Sequence, residues 1–235
     1  MSKAFGIIAS VVLVVVMLGG IVALVTKSYA APSTGDKVGA ASTSGAQGTG
    51  EKVSFYGDSY TLGTGASSAS KRWSTIVSEQ RNWNEFNPGV NGLGFINNRS
   101  DFGEGDEPSE IIASKPDIVF ITMGLNDNFS YDFAANDIKS QITKDFDRLK
   151  KALPSARFIV VEPFWYTDER PESLEVISNW VKDAAAQIDA DYIPGASRWI
   201  QGHPEWMAGD GLHPNDDGYA AMAKEMNAAL ATLGL

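Results

Sequence analysis

The sequence predicts an α/β fold, a parallel sheet sandwiched between helices, from about residue 51 to residue 235. Two short apolar runs, DIVFITM (117–123) and RFIVVE (157–162), suit strands buried on both faces. Around them, strand-like segments alternate regularly with amphipathic helical ones, as βαβ units require.

The elements follow in order. Residues 52–56 (KVSFY) alternate polar and apolar and stop at Gly57, as a strand does before a turn. Residues 67–81 carry Trp73, Ile76 and Val77 at helical spacing. A second strand is expected at 84–90, weakened by Pro88, which has no N–H for a ladder. The apolar run at 117–123 is the third strand. A helix over 133–152 puts Ile138, Ile142, Phe146 and Leu149 on one stripe. The fourth strand, 157–162, leads to a helix at 172–188 with Leu174, Ile177, Val181, Ala184 and Ala185. A short strand near 190–193 precedes a last helix at 216–233, whose apolar face holds Tyr219, Met222, Ala223, Met226, Leu230 and Leu233.

The N-terminus is of another kind. Ala4 to Val25 is uncharged and apolar all round, about 22 residues, long enough as a helix to span the ~30 Å core of a bilayer. It reads as an uncleaved single-pass anchor or as a signal peptide cut after Ser28-Tyr29-Ala30. The run exceeds the ~7–15 residues of a signal core, which favours the anchor. Residues 31–50 are Gly, Ser, Thr and Ala with little else, the composition of a flexible tether. The organisation is therefore a membrane segment at 1–30, a linker at 31–50 and a folded domain at 51–235. Either reading of the first segment puts the domain outside the cytoplasm.

Composition removes several function classes. The chain has 235 residues and a net charge of −10, without the basic footprint that nucleic acid needs. It has no cysteine, so disulfides, thiolate zinc sites, iron–sulfur clusters and cysteine nucleophiles are excluded. Only His203 and His213 can supply a histidine base. There is no G-x-S-x-G elbow, and the glycine pairs at 92/94 and 103/105 lack the third glycine of a dinucleotide fingerprint.

In a parallel α/β sheet, ligands bind beyond the carboxyl ends of the strands. The first strand is followed by Gly57-Asp58-Ser59-Tyr60-Thr61-Leu62-Gly63, which sets a serine at a strand-to-helix turn. The second is followed by Gly89-Val90-Asn91-Gly92-Leu93-Gly94, and the third by Gly124-Leu125-Asn126-Asp127. Asp210-Gly211-Leu212-His213-Pro214 precedes the last helix. Pro214 keeps His213 out of helical conformation, and the i, i+3 spacing lets the Asp210 carboxylate reach the imidazole. The other ring nitrogen is then free to take a proton from a serine. Taken singly, Ser59 reads as a helix cap, Asn126 as an Asx-turn residue, and His213 as a surface histidine. Together, each at a strand end, they read as a nucleophile, a base and its orienting acid.

These four blocks closely resemble those of the SGNH (GDSL-type) hydrolase family: GDSYTLG, Gly92 in GVNGLGF, GLND and DGLHPND. The resemblance covers about residues 51–235. It implies a three-layer α/β/α sandwich around a five-stranded parallel sheet in the flavodoxin-like order 2-1-3-4-5. It implies ester hydrolysis with no metal or organic cofactor, with Ser59 as nucleophile, His213 as base and Asp210 orienting it. The oxyanion donors it implies are the backbone N–H groups of Ser59 and Gly92 and the Asn126 side chain. At the glycine block, Gly94 competes with Gly92.

Remaining residues have plainer readings. Asp58 is structural, and Asp127 braces the turn at Asn126. His203, ahead of Pro204, is a loop residue. Trp165 and Tyr166 follow the fourth strand, so sugar stacking, an acyl pocket and plain packing all stay open for them. Glu104–Glu107 reads as a solvated acidic loop. The leading expectation is an extracytoplasmic serine esterase acting on small acyl esters, O-acetyl groups on a surface glycan among them. A lysophospholipase, a thioesterase, an O-acyltransferase and a non-catalytic glycan-binding module are the alternatives. The expected partners are an ester substrate on a glycan or lipid, and the membrane through the N-terminal segment, but no nucleic acid.

Overall fold

The computed structural model describes residues 45–235. The apolar segment at 4–25 and residues 31–44 of the expected linker lie outside the described residues. Among those described, no helix is long and apolar enough to cross a membrane.

Five strands form the sheet: β1 (Lys52–Tyr56), β2 (Asn84–Phe86), β3 (Ile118–Ile121), β4 (Arg157–Val161) and β5 (Asp191–Ile193). Their order is β2-β1-β3-β4-β5 and every pair is parallel. The longer helices are α2 (Trp73–Gln80), α3 (Glu107–Ser114), α4 (Tyr131–Ala152), α5 (Glu172–Gln187) and α6 (Asp216–Thr232); a single turn, α1 (Ser59–Leu62), precedes them.

Strand side chains alternate between two buried layers, which is why the central strands read as unbroken apolar runs. Val53, Phe55, Ile118, Phe120, Ile159 and Val161 face one core with Trp73 of α2 and Tyr219, Met222 and Met226 of α6. Tyr56, Val119, Ile121, Phe158 and Val160 face the other, with Ile111 of α3, the α4 stripe and Val181 of α5. The helices thus divide two and three about the sheet, giving the three layers.

Four expectations are corrected in detail. Strand β2 stops at Phe86, two residues before Pro88, and the helix expected at 67–81 is a 3₁₀ turn (Ala69–Lys71) followed by α2. The end of the expected linker is not free: Gly48 N–H and Gly50 N–H donate to the Trp83 and Asn82 carbonyls, and Gln47 bridges Asn84 in antiparallel sense. Residues 45–50 therefore cover the open edge of β2. The acidic stretch is solvated only in part, because Glu107 is buried as the first residue of α3 and Asp106 caps that helix by accepting the Ser109 N–H.

Beside β2 lies a buried ion pair. Arg72 reaches Glu85 at 3.0 Å with both side chains shielded from solvent. Ser74 Oγ, Thr75 Oγ1 and the Ala46 N–H also donate to the Glu85 carboxylate. The network extends to the site: Arg72 donates to Leu62 O, and Asn87 Nδ2 donates to Thr61 O at 2.7 Å. It grips the end of α1, the turn that carries Ser59.

Candidate active site

Ser59 is the first residue of α1, directly beyond the carboxyl end of β1. Asp58 caps this turn through Oδ1, which accepts the Tyr60 N–H at 3.0 Å. The hydroxyl of Ser59 lies 2.9 Å from His213 Nε2, and His213 Nδ1 lies 2.7 Å from Asp210 Oδ2. The tautomer this chain of bonds implies carries its proton on Nδ1, leaving Nε2 to accept from the serine hydroxyl. Asp210 Oδ1 also accepts the backbone N–H groups of Leu212 and His213, so one carboxylate holds both the ring and its loop. Tyr60, next to the serine, ties that loop down by donating its hydroxyl to Leu212 O at 2.7 Å. Partial burial raises the Asp210 carboxyl, but the hydrogen bonds from His213 and Leu212 outweigh it and hold the group down at about 2. Asp210 is therefore ionised at neutral pH, as an orienting carboxylate must be.

The expected oxyanion donors come from the turn after β1 and the loops after β2 and β3. No group among the described residues occupies the N–H of Ser59 or of Gly92. Gly92 sits at φ +72°, a conformation that glycine adopts without strain, and its carbonyl is pinned by the side-chain amides of Asn97 and Asn98. Gly94 has a different task. Its N–H donates to Asn97 O at 2.8 Å, and a Cβ on it would come within 2.6 Å of the Asp127 carboxylate. Gly92, not Gly94, is thus the residue with a free donor.

Asn126 Nδ2 donates to Leu93 O at 2.9 Å and to Asp58 Oδ2 at 3.2 Å. Together the two bonds hold the amide beside the turn that carries Ser59.

Three buried acids frame the site, and sequence reasoning understated all of them. Asp127 accepts the N–H groups of Phe95, Ile96 and Asn97, so it braces the glycine loop and not the turn at Asn126. Glu107 Oε1 accepts the Gly57 N–H at 2.8 Å, just ahead of the nucleophile turn, while Oε2 has no partner. Desolvation raises the carboxyls of Asp127 and Glu107, and pushes Asp58 up to about 7. Only the adjacency of Asp127 to Asn126 hinted at any of this.

The sign of the pH effect follows. The unfolded chain loses these three protons at ordinary carboxyl pH, whereas the native state keeps the Asp58 proton to about 7. Stability conferred at low pH is lost as pH rises through that window and is flat above it. Asp58 alone accounts for up to roughly 4 kcal/mol at ~1.4 kcal/mol per unit. Urea midpoints are expected to fall between about pH 4 and pH 7, and less steeply in Asp58→Asn. A midpoint that rises over that range contradicts this.

Beyond β4 and β5 the same face opens into a groove of about 530 Å³, bordered by Tyr166, Ile200, His203, Met207 and the glycines flanking Asp210. Trp165 is not part of it; its ring is buried and its Nε1 donates to Thr167 Oγ1 and Glu169 O. His203 stacks on Trp206 with ring centroids 3.5 Å apart, and its Nδ1 pairs with Glu205. Ser59 Oγ is paired with His213, and His203 remains a loop residue.

With this geometry in hand, comparisons with known proteins agree with one another. Residues 55–221 match the model of the GDSL-like lipase/acylhydrolase family. The chain is 26% identical over 187 residues to GDSL lipase Rv0518 of Mycobacterium tuberculosis, covering 74% of this chain and 79% of that one. Among solved structures, TesA superposes with a TM-score of 0.65 at 17% identity, over 78% of this chain and 99% of the other. The psychrotrophic esterase EstA of Pseudoalteromonas sp. gives 0.60 at 15% identity, over 78% and 98%. A family two carbohydrate esterase from Cellvibrio japonicus gives 0.61 at 16% identity, over 77% and 61%. At these identities the structures speak for the fold, while the family model, which spans both the Ser59 turn and the His213 loop, speaks for descent. The chain belongs to the GDSL-like lipase/acylhydrolase family of carboxylic ester hydrolases.

Proposed function

We propose that the protein is an extracytoplasmic serine esterase that cleaves small acyl esters, O-acetyl groups on a surface glycan in particular, through an acyl-enzyme on Ser59. The observation that carries the reading is the unbroken hydrogen-bonded path from Asp210 through His213 to Ser59 Oγ. Ser59 Oγ attacks the ester carbonyl carbon while His213 Nε2 takes its proton. The carbonyl oxygen becomes an anion among the N–H groups of Ser59 and Gly92 and the Asn126 amide. As the tetrahedral species collapses, the carbon–alcohol bond breaks and His213 gives its proton to the departing alcohol. Water then attacks the acyl-serine, His213 takes the water's proton, and the carboxylic acid leaves as the proton returns to Ser59 Oγ.

The preference for small acyl groups on sugars draws support from two structural relatives, the Cellvibrio japonicus carbohydrate esterase and an acetyl xylan esterase from Geobacillus stearothermophilus. The location draws support from the apolar run at 4–25 alone, read as an anchor or signal segment. Purified full-length protein is expected to release acetate from acetylated oligosaccharides faster than it cleaves long-chain esters. The opposite ranking favours a lipase-type substrate. Protease added to intact cells is expected to digest the domain; full protection contradicts the location.

Asn126→Ala is expected to lower kcat about 100- to 1,000-fold with KM nearly unchanged, since an oxyanion donor acts in the transition state and not on the ground-state ester. An unchanged kcat removes Asn126 from the oxyanion site.

A further inference from the structure

We infer that the groove beyond β4 and β5 is the seat of the leaving alcohol, and that it is built for a polyhydroxylated ring. This rests on the serine-esterase reading above. The three candidate oxyanion donors come from the turn after β1 and from the loops after its two neighbours in the sheet, β2 and β3. The groove is bordered by residues following β4 and β5 and by Met207–Gly211, the loop that leads into His213. An alcohol leaving the tetrahedral carbon must have its oxygen within reach of His213 Nε2, the proton donor. The body of that alcohol therefore lies beside the His213 loop, which the groove borders.

Chemistry then selects the class of alcohol. A groove of about 530 Å³ holds far more than the methanol or ethanol of a simple ester. Its lining combines rings with a carboxylate: Tyr166, His203, whose ring is stacked on Trp206, and Asp168. Asp168 Oδ1 accepts the Gly202 N–H at 2.7 Å, which fixes the side chain and leaves Oδ2 as an acceptor. Flat apolar faces combined with fixed acceptors match a sugar, whose C–H face stacks and whose hydroxyls donate. A fatty acyl chain calls for a lining without a carboxylate.

The test separates the groove from the chemistry. Calorimetry with xylotetraose and chitotetraose, neither carrying an O-acyl group, reads the subsite without turnover. Full-length wild type and Ser59→Ala are expected to bind at least one of them alike. Tyr166→Ala and Asp168→Asn are each expected to weaken that binding tenfold or more, whereas Tyr166→Phe retains it. In parallel, Tyr166→Ala is expected to raise KM for acetylated xylo-oligosaccharide about tenfold, a larger change than it causes for p-nitrophenyl acetate. No binding of either oligosaccharide, or binding that ignores both substitutions, overturns the inference. So does a Tyr166→Ala enzyme whose change appears in acyl-length preference, because the groove then holds the acid. A wild type inactive on every ester while sugar binding persists counts against the esterase reading and leaves the sugar seat standing.

Discussion

Ser59→Ala is expected to reduce p-nitrophenyl acetate turnover to the uncatalysed background. Loss of a serine nucleophile in a comparable triad costs on the order of 10⁶-fold in kcat. The substitution removes a single oxygen whose partner is His213 Nε2 at 2.9 Å. The turn itself is held by other groups: the Asp58 cap on the Tyr60 N–H and the Ser59 carbonyl, which accepts from Gly63 and Thr64. Folding should therefore be retained, and the melting temperature should stay within about 4 °C of wild type, since losing one hydrogen bond costs about 1 kcal/mol. Equal activity in the two proteins would move the nucleophile elsewhere. Loss of activity together with a large drop in melting temperature would make the loss uninformative, which is why both are measured.

Arg72→Met carries the largest expected loss of stability. Removing one partner of a buried pair strands the other charge, at a cost of about 3–5 kcal/mol. Glu85 would keep Ser74, Thr75 and the Ala46 N–H but lose its only cation. For a domain of this size that corresponds to a fall of roughly 10 °C in melting temperature. Adding Glu85→Gln removes the stranded charge and is expected to recover at least half of the loss. Because Arg72 also donates to Leu62 O, at the end of the turn bearing Ser59, activity should begin to fall below the melting temperature. A single variant as stable as wild type, or a double variant worse than the single, contradicts this account of the pair.

The comparison of sequence with structure is instructive at particular residues. Strands β3 and β4 are legible because burial on both faces writes itself as continuous apolar sequence, β1 because it alternates and stops at Gly57, and α4 because its stripe repeats over several turns. Helix α3 is not, since eight residues give too little periodicity. Its start signals, Asp106 and Pro108, sat in an acidic stretch that composition assigns to solvent. Glu107 is buried only because Gly57, fifty residues earlier, brings it an N–H, a long-range fact that no local pattern carries. Residues 45–50 pair through backbone atoms, to which a Gly- and Ala-rich composition is silent. At the site, the motifs named Ser59, His213 and Asp210, which stand in hydrogen-bonding contact one after the next. The roles of Asp127, Asn97 and Asn98 in shaping the glycine loop depend on three-dimensional closure and were out of reach.

One measurement bears most directly on the central claim, that Ser59 carries the acyl group. Full-length protein would be treated with a fluorophosphonate, which forms a stable phosphonyl ester with an activated serine and loses fluoride, and the labelled peptide would be identified by mass spectrometry. The account predicts one adduct, on Ser59, formed in step with loss of esterase activity and absent from Ser59→Ala. It also predicts much slower labelling in His213→Ala, where no base activates the hydroxyl. An adduct on another serine that tracks the loss of activity, or full inactivation with Ser59 unmodified, would contradict it.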